Sequence, residues 1–199
     1  MSGAGPLILA SASPRRRELL ASLGVSFEIV PSDADETLEP APLPEAVARL
    51  ALRKARVVAS SRPAAVVLGA DTIVVIDGRA LGKPADPDDA RAMLRTLRGR
   101  THEVMTGIAV VEAATGRFAV DTVISRVRMA TYGGAAIEAY VAGGEPLDKA
   151  GAYAIQGVGG ALVAGLEGSR SNVVGLPLAA TAALLRRFGV AVSVPRPEA

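Results

Sequence analysis

The 199-residue sequence contains no cysteine, no tryptophan and only one histidine, His102. Without cysteine the chain cannot form disulfides, iron–sulfur clusters or thiolate zinc sites, and one imidazole cannot build a site that needs two. Any metal bound here must therefore use oxygen ligands, as Mg²⁺, Mn²⁺ and Ca²⁺ do. His102 stands beside a predicted strand, and we expect its role to be structural.

Aromatic residues and net charge are also scarce. The chain has three phenylalanines, three tyrosines and a formal net charge of +2. Binding of nucleic acid usually requires a concentrated basic face, and single strands also require aromatic platforms for the bases. The composition therefore predicts no nucleic-acid partner.

No run approaches the roughly 20 apolar residues of a membrane span. The short apolar stretch near the start is followed, rather than preceded, by Arg15, Arg16 and Arg17, which is the wrong order for a secretion signal. We expect a cytoplasmic protein with no membrane partner.

Short strands alternate with helices along the chain, which predicts a mixed-sheet α/β fold. Ser13 as N-cap and Pro14 at the first helical position mark the start of the first helix. Two strand-like runs, 65–68 and 73–76, flank Gly69-Ala70-Asp71-Thr72. Further strands are predicted at 6–10, 26–30, 104–111 and 118–129. Further helices are predicted from about residue 44, immediately after the cap Asp86, at 135–141 and at 178–188. The tail from Val194 is expected to fray.

The segment Ser11-Ala12-Ser13-Pro14-Arg15-Arg16-Arg17 lies at a predicted strand-to-helix junction. Arginines in the first turn of a helix oppose its macrodipole, and a bound anion would resolve that conflict. Hydroxyls, free backbone N–H groups and guanidinium forks together form a phosphate cradle. The alternative is a solvated basic turn.

Asp71 interrupts two apolar runs, and burying its carboxylate is costly unless it lies at a strand end and meets a cation, a metal or several donors. We interpret it as an active-site acid or base. The alternative is an Asx turn that links two strands.

Two further segments are candidate parts of a functional site. The acidic loop Asp33-Ala34-Asp35-Glu36 can supply oxygen ligands, although by itself it reads more simply as a solvated loop. The segment 148–160 is rich in small residues that allow close approach of a ligand, and Gln156 offers both a donor and an acceptor for a nucleobase edge. The alternative for this segment is a tight glycine-rich crossing.

The sequence resembles the Maf family, which is named for inhibition of septum formation. The blocks that carry the resemblance are Ser11-x-Ser13-Pro14-Arg15-Arg16-x-Glu18-Leu19-Leu20, Gly69-Ala70-Asp71-Thr72, Gly82-Lys83-Pro84, Asp148-Lys149-Ala150-Gly151-Ala152-Tyr153-x-Ile155-Gln156-Gly157 and Ser171-Asn172-Val173-Val174-Gly175-Leu176-Pro177. The resemblance implies one domain over residues 1–199, with a two-lobed mixed-sheet fold like that of inosine triphosphate pyrophosphatases and a central cleft. It also implies a homodimer.

The resemblance further implies an enzyme that cleaves dTTP and UTP at the α,β bond, giving nucleoside monophosphate and pyrophosphate with Mg²⁺ or Mn²⁺. Asp71 would be the proton acceptor, and Glu36, together with Asp71, would hold the metal, with Asp35 left open as the alternative to Glu36. Arg15, Thr72 and Gln156 match the dTTP/UTP branch, whereas the branch that prefers 7-methyl-GTP carries an aromatic residue at the position of Arg15. The triphosphate would be held by Ser11, Arg15, Arg16, Lys54 and Lys83.

Two other functions stay open at this point. One is a nucleotide-responsive binding protein that restrains septum formation without needing hydrolysis. The other is a nucleotide pyrophosphatase of different base specificity.

Overall fold

The computed structural model describes residues 5–193, so the predicted fraying from Val194 lies outside the described residues. The strands are β1 (Leu7–Leu9), β2 (Glu28–Ile29), β3 (Val66–Ile76), β4 (Arg79–Leu81), β5 (Thr101–Glu112), β6 (Phe118–Met129) and β7 (Val163–Glu167). The helices are α1 (Pro14–Ala21), α2 (Leu43–Ser60), α3 (Pro87–Leu97), α4 (Gly134–Ala142), α5 (Arg170–Val174) and α6 (Leu178–Arg187). Short 3₁₀ turns occupy much of the stretch between α4 and β7.

The strands form one seven-stranded sheet in the order β2-β1-β3-β5-β6-β7, with β4 paired to β3. Strand β1 runs parallel to both β2 and β3, whereas β4 is antiparallel to β3 and β7 is antiparallel to β6. The prediction of a mixed-sheet α/β fold is therefore confirmed.

The chain divides into two compact units. The first comprises the chain up to Asp71, Thr106–Val123 and the chain from Gly175 onward, and the second comprises Thr72–Met105 and Ile124–Val174. The first unit has apolar clusters built around β1 and the adjoining part of β3, and the second has its own cluster. Within residues 5–193, no helix combines the length and the hydrophobicity that crossing a bilayer requires.

Local capping and turn signals place several elements where the sequence predicts them. The Ser13 side chain accepts a hydrogen bond from the Arg16 N–H at the start of α1, with Pro14 at the first helical position. Asp86 caps α3 by accepting from the Asp89 N–H. Asp77 and Gly78, both with positive φ, form the turn between β3 and β4.

The predicted runs 65–68 and 73–76 form one strand, so the alternative of an Asx turn at Asp71 is wrong, and Asp71 does not lie at a strand end. Strand β3 runs without a break from Val66 to Ile76 and carries Asp71 in its interior. The physical reason is that the carboxylate receives a hydrogen bond from a buried ammonium, described below, so no strand end is needed to solvate it.

Strand β7 and helix α5 were not predicted, because the small residues around them show neither helical nor strand periodicity.

Candidate active site

Helix α2 packs directly onto the sheet of the first unit at two glycines. A side chain at Gly69 of β3 would collide with the carbonyl oxygen of Ala51, and one at Gly107 of β5 would collide with that of Val47. The absence of a side chain at both positions lets the helix backbone approach the strands closely. This approach brings Lys54, one turn beyond Ala51, next to Asp71.

Lys54 bridges two carboxylates. Its Nζ donates to Oδ1 of Asp71 and to Oε1 of Glu36, each at 2.6 Å. Only 8% of the Lys54 side chain and 15% of the Asp71 side chain are exposed, whereas 66% of the Glu36 side chain is exposed. Because an unpaired buried ammonium is very costly, these two acceptors explain how Lys54 is accommodated.

Arg16 adds a second cation to this group. Its Nη1 donates to the Ser11 hydroxyl at 3.2 Å and its Nε donates to the Gly175 carbonyl oxygen at 2.9 Å. Burial lowers the pKa of Arg16, and the negative charges of Asp71 and Glu36 oppose that shift. A guanidinium remains charged at physiological pH, so the site combines two cations with two carboxylates.

The two candidate carboxylates of the acidic loop are used differently. Oδ1 of Asp35 accepts from the Thr37 N–H at 2.9 Å and from the Thr37 hydroxyl at 2.7 Å, and these bonds lower the pKa of Asp35. Glu36 instead extends to Lys54. Asp35 thus closes a local turn, while the carboxylate of Glu36 faces the other site residues.

The first unit therefore brings together Ser11, Arg16, Glu36, Lys54 and Asp71. Arg15 is half-buried beside Arg16. The other predicted site residues, Thr72, Lys83 and Gln156, belong to the second unit.

In the second unit, Lys83 and Gln156 are both exposed on loops. Neighbouring residues in each loop make hydrogen bonds to other parts of the unit. Next to Lys83, the Gly82 carbonyl oxygen accepts from the Gly151 N–H at 3.0 Å. Ahead of Gln156, the Tyr153 hydroxyl lies 2.7 Å from Nε2 of His102. No local sequence pattern identifies Tyr153 as the partner of His102, because the two residues lie 51 positions apart in the chain.

The family model of Maf-like proteins matches residues 6–188. The chain belongs to the Maf family. A dTTP/UTP pyrophosphatase of Anaeromyxobacter dehalogenans (strain 2CP-1 / ATCC BAA-258) is 55% identical over 194 residues, which cover 96% of this chain and 98% of the relative. A dTTP/UTP pyrophosphatase of Moorella thermoacetica is 57% identical over 190 residues, covering 94% and 96%. Among solved structures, a HAM1 protein from Coxiella burnetii matches with a TM-score of 0.46 and 17% identity, over 64% of this chain and 74% of that one.

The oxygen ligands of this Maf-family chain fit a divalent cation that also binds substrate. Glu36 and Asp71 each place one oxygen 2.6 Å from the same nitrogen, that of Lys54. Within residues 5–193, no cluster of three or more acidic or histidine side chains is arranged to hold a metal. Mg²⁺ typically takes one or two carboxylates and completes its shell with water and substrate phosphates. This donor set suits such a cation better than one that requires a full protein cage.

Proposed function

We propose that this Maf-family protein hydrolyses nucleoside triphosphates, above all dTTP and UTP, at the α,β bond to give nucleoside monophosphate and pyrophosphate. The observation that carries the proposal is the Lys54 ammonium held between Asp71 and Glu36, with Arg16 and Ser11 alongside. Relatives more than half identical over nearly the whole chain are named dTTP/UTP pyrophosphatases, which supports the same activity.

The triphosphate is proposed to bind through cations at the start of α1 and on α2. The Arg16 guanidinium is already oriented by Ser11 and Gly175, so little of its side-chain entropy remains to be lost when phosphate binds. Arg15 and Lys54 add charge in the same unit, and we propose Lys83 as a further phosphate ligand. These contacts favour the transition state as negative charge develops on the phosphoryl oxygens and the leaving pyrophosphate.

Asp71 is proposed to accept the proton of the attacking water. Its position inside β3 fixes the backbone, and Lys54 fixes Oδ1 by hydrogen bonding, so the carboxylate is held in one orientation. A general base held in this way contributes through both proton transfer and orientation of the water. No covalent nucleophile is required.

Glu36, together with Asp71, is proposed to hold Mg²⁺ or Mn²⁺. When bound, such a cation offsets charge on the attacked phosphate and on the leaving group. Lys54 donates to both carboxylates and thereby keeps two negative groups close together.

Base selection is proposed to lie with Arg15, Thr72 and Gln156. The side-chain amide of Gln156 offers an N–H donor group and a carbonyl acceptor, which matches the edge of a pyrimidine.

We also propose that the protein forms a homodimer and works in the cytoplasm. The half-exposed Phe118 and Val120 on β6 are apolar residues that a second subunit would cover.

The test is a panel of nucleoside triphosphates incubated with the protein with and without Mg²⁺ or Mn²⁺, with products separated by ion-exchange chromatography. We expect UMP and dTMP with equimolar pyrophosphate, and faster turnover of dTTP and UTP than of purine nucleotides. Release of orthophosphate with a nucleoside diphosphate would contradict the bond assignment. Tight nucleotide binding without turnover would instead favour the nucleotide-responsive binding protein, and fastest turnover of a purine nucleotide would overturn the base assignment.

A further inference from the structure

Arg53, the residue before Lys54 on α2, binds the backbone of the loop of residues 31–42, which contains the acidic segment 33–36. Its Nη1 donates to the carbonyl oxygen of Asp35 at 2.7 Å and to that of Thr37 at 3.0 Å. These are the two residues on either side of Glu36. Its Nη2 also pairs with Oε1 of Glu39 at 2.6 Å, so one guanidinium holds the loop at three points.

The loop needs such a restraint. Residues 31–42 contain no helix or strand, so its backbone is not held by a regular hydrogen-bond ladder. The Glu36 side chain is 66% exposed, so packing contributes little to its orientation. Besides the hydrogen bond from Lys54, its direction depends on the backbone on either side, which is held by Arg53 and by the Asp35–Thr37 turn.

We propose that Arg53 is a positioning residue that aims Glu36 at the cation site. This inference rests on the proposed function, because it concerns the carboxylate proposed there to hold the metal. Adjacent residues on a helix project about 100° apart. Arg53 can therefore donate hydrogen bonds to the loop backbone while Lys54 donates to Glu36 and Asp71. Without the Arg53 contacts the backbone around Glu36 is less restrained, and the bond from Lys54 alone leaves its carboxylate more orientations. Metal binding must then offset the additional entropy lost on ordering Glu36.

The guanidinium fork explains why arginine suits this position. It presents several N–H donors in one rigid plane, whereas a lysine ammonium is a point charge with no fixed fork. Nη1 contacts both carbonyl groups while Nη2 contacts Glu39, so replacement by lysine keeps the charge but leaves one nitrogen to serve all three acceptors. Arg53→Lys is therefore expected to fall between the wild-type protein and Arg53→Met.

Arg49 provides a matched control one turn earlier on the same helix. It also pairs with Glu39, at 3.2 Å, and with Glu45. Arg49→Met removes the same charge and another ion pair to Glu39. It leaves the two carbonyl contacts of Arg53 intact.

The experiment measures Mn²⁺ affinity in two ways for the wild-type protein, Arg53→Met, Arg53→Lys and Arg49→Met. Free Mn²⁺ is followed by electron paramagnetic resonance in the presence of a hydrolysis-resistant α,β-methylene analogue of UTP, and the Mn²⁺ dependence of turnover is measured at saturating UTP. We expect Arg53→Met to weaken Mn²⁺ binding about 10-fold or more, as loss of outer-shell support typically does. Turnover at saturating Mn²⁺ should stay within about threefold of the wild-type value, because the residues that contact substrate remain.

Equal Mn²⁺ affinities for Arg53→Met and Arg49→Met would overturn the inference, as would lower turnover with an unchanged Mn²⁺ affinity. If Arg53→Met fails to fold, the comparison of Arg53→Lys with Arg49→Met decides the question in the same way. A wild-type protein that binds Mn²⁺ but releases no pyrophosphate would overturn the proposed function, and the binding measurement would still test Arg53. Failure of the wild-type protein to bind Mn²⁺ with the analogue would overturn the role of Arg53.

Discussion

Nζ of Lys54 lies 2.6 Å from Oδ1 of Asp71, in a pair of which little is exposed to solvent. The pair joins helix α2 to the interior of strand β3 across 17 residues of sequence. Asp71 is thus a paired carboxylate. Because the carboxylate is paired, replacement of Asp71 should remove a stabilising interaction and lower stability. Replacement of Lys54 should do the same from the other side of the pair.

Asp71→Asn should lower kcat for UTP by about 10²- to 10⁴-fold, because an amide cannot accept the proton of water. The charge-assisted bond from Lys54 becomes a weaker one to a neutral oxygen, so the melting temperature should fall by a few degrees, corresponding to about 1 kcal/mol. Asp88→Asn is the control, because Asp88 is 94% exposed. An Asp71→Asn enzyme that melts lower but turns over UTP normally would remove Asp71 from the mechanism.

Lys54→Met should destabilise the protein by about 3 kcal/mol at neutral pH, since removal of one partner leaves the others uncompensated. Asp71 and Glu36 then face each other without the ammonium that both contact in the wild-type protein. Thermal unfolding of the variant and of the wild-type protein tests this. Mn²⁺ should raise the melting temperature of the variant more than that of the wild-type protein, and equal shifts would argue against a shared cation site.

Gly69→Ala should be severely destabilising, by about 3 kcal/mol or more, because the new methyl group meets the Ala51 backbone rather than a flexible side chain. Helix α2 would have to move away from β3, which would separate Lys54 from Asp71 and lower kcat/KM as well. Gly134→Ala is a control, since a side chain there meets nothing within 4 Å. Urea unfolding of both variants measures the difference, and a Gly69→Ala protein as stable as the control would contradict the packing argument.

His102→Gln should alter the pH dependence of stability. Burial lowers the pKa of His102 from 6.5 to about 4 in the folded protein. The unfolded chain therefore binds the proton more readily, and the stability supplied by the neutral imidazole is fully present above about pH 6.5 and is lost as the pH falls toward 4. The loss amounts to about 3 kcal/mol.

Urea unfolding of the wild-type protein and of His102→Gln between those pH values tests this expectation. The glutamine side chain still offers a polar group to Tyr153 but does not titrate, so the variant should lose less stability than the wild-type protein over this range. Parallel stability curves for the two proteins would show that His102 does not titrate as expected.

Arg15→Trp should shift substrate preference away from pyrimidine nucleotides. The change removes a guanidinium proposed to bind phosphate, worth about 10-fold or more in kcat/KM for UTP, and introduces the aromatic residue implied for the branch that prefers 7-methyl-GTP. Arg17→Trp on the exposed side of the same helix is the control. An unchanged ratio of kcat/KM for UTP to that for 7-methyl-GTP would exclude a role for Arg15 in specificity.

The sequence predicted most elements because their signals are local. Capping by Ser13 and Asp86 and the turn at Asp77-Gly78 each involve groups within a few residues of one another. The resemblance also nominated Lys54, Asp71 and Glu36 as site residues, and their roles stay predictions. It left the choice between Asp35 and Glu36 open, and the contacts of the two side chains support Glu36 as the residue that faces Lys54.

By itself, then, the sequence determined that any bound metal must use oxygen ligands, and it determined the mixed α/β fold and the family, because composition and ordered motifs are properties of the chain. Only the tertiary structure decided that Asp71 lies inside an unbroken strand, that Lys54 pairs with it, and that Arg53 grips the residues around Glu36. These contacts join positions 16 to 18 residues apart. They depend on how closely α2 packs against Gly69 and Gly107, a distance set by tertiary packing that no local pattern encodes.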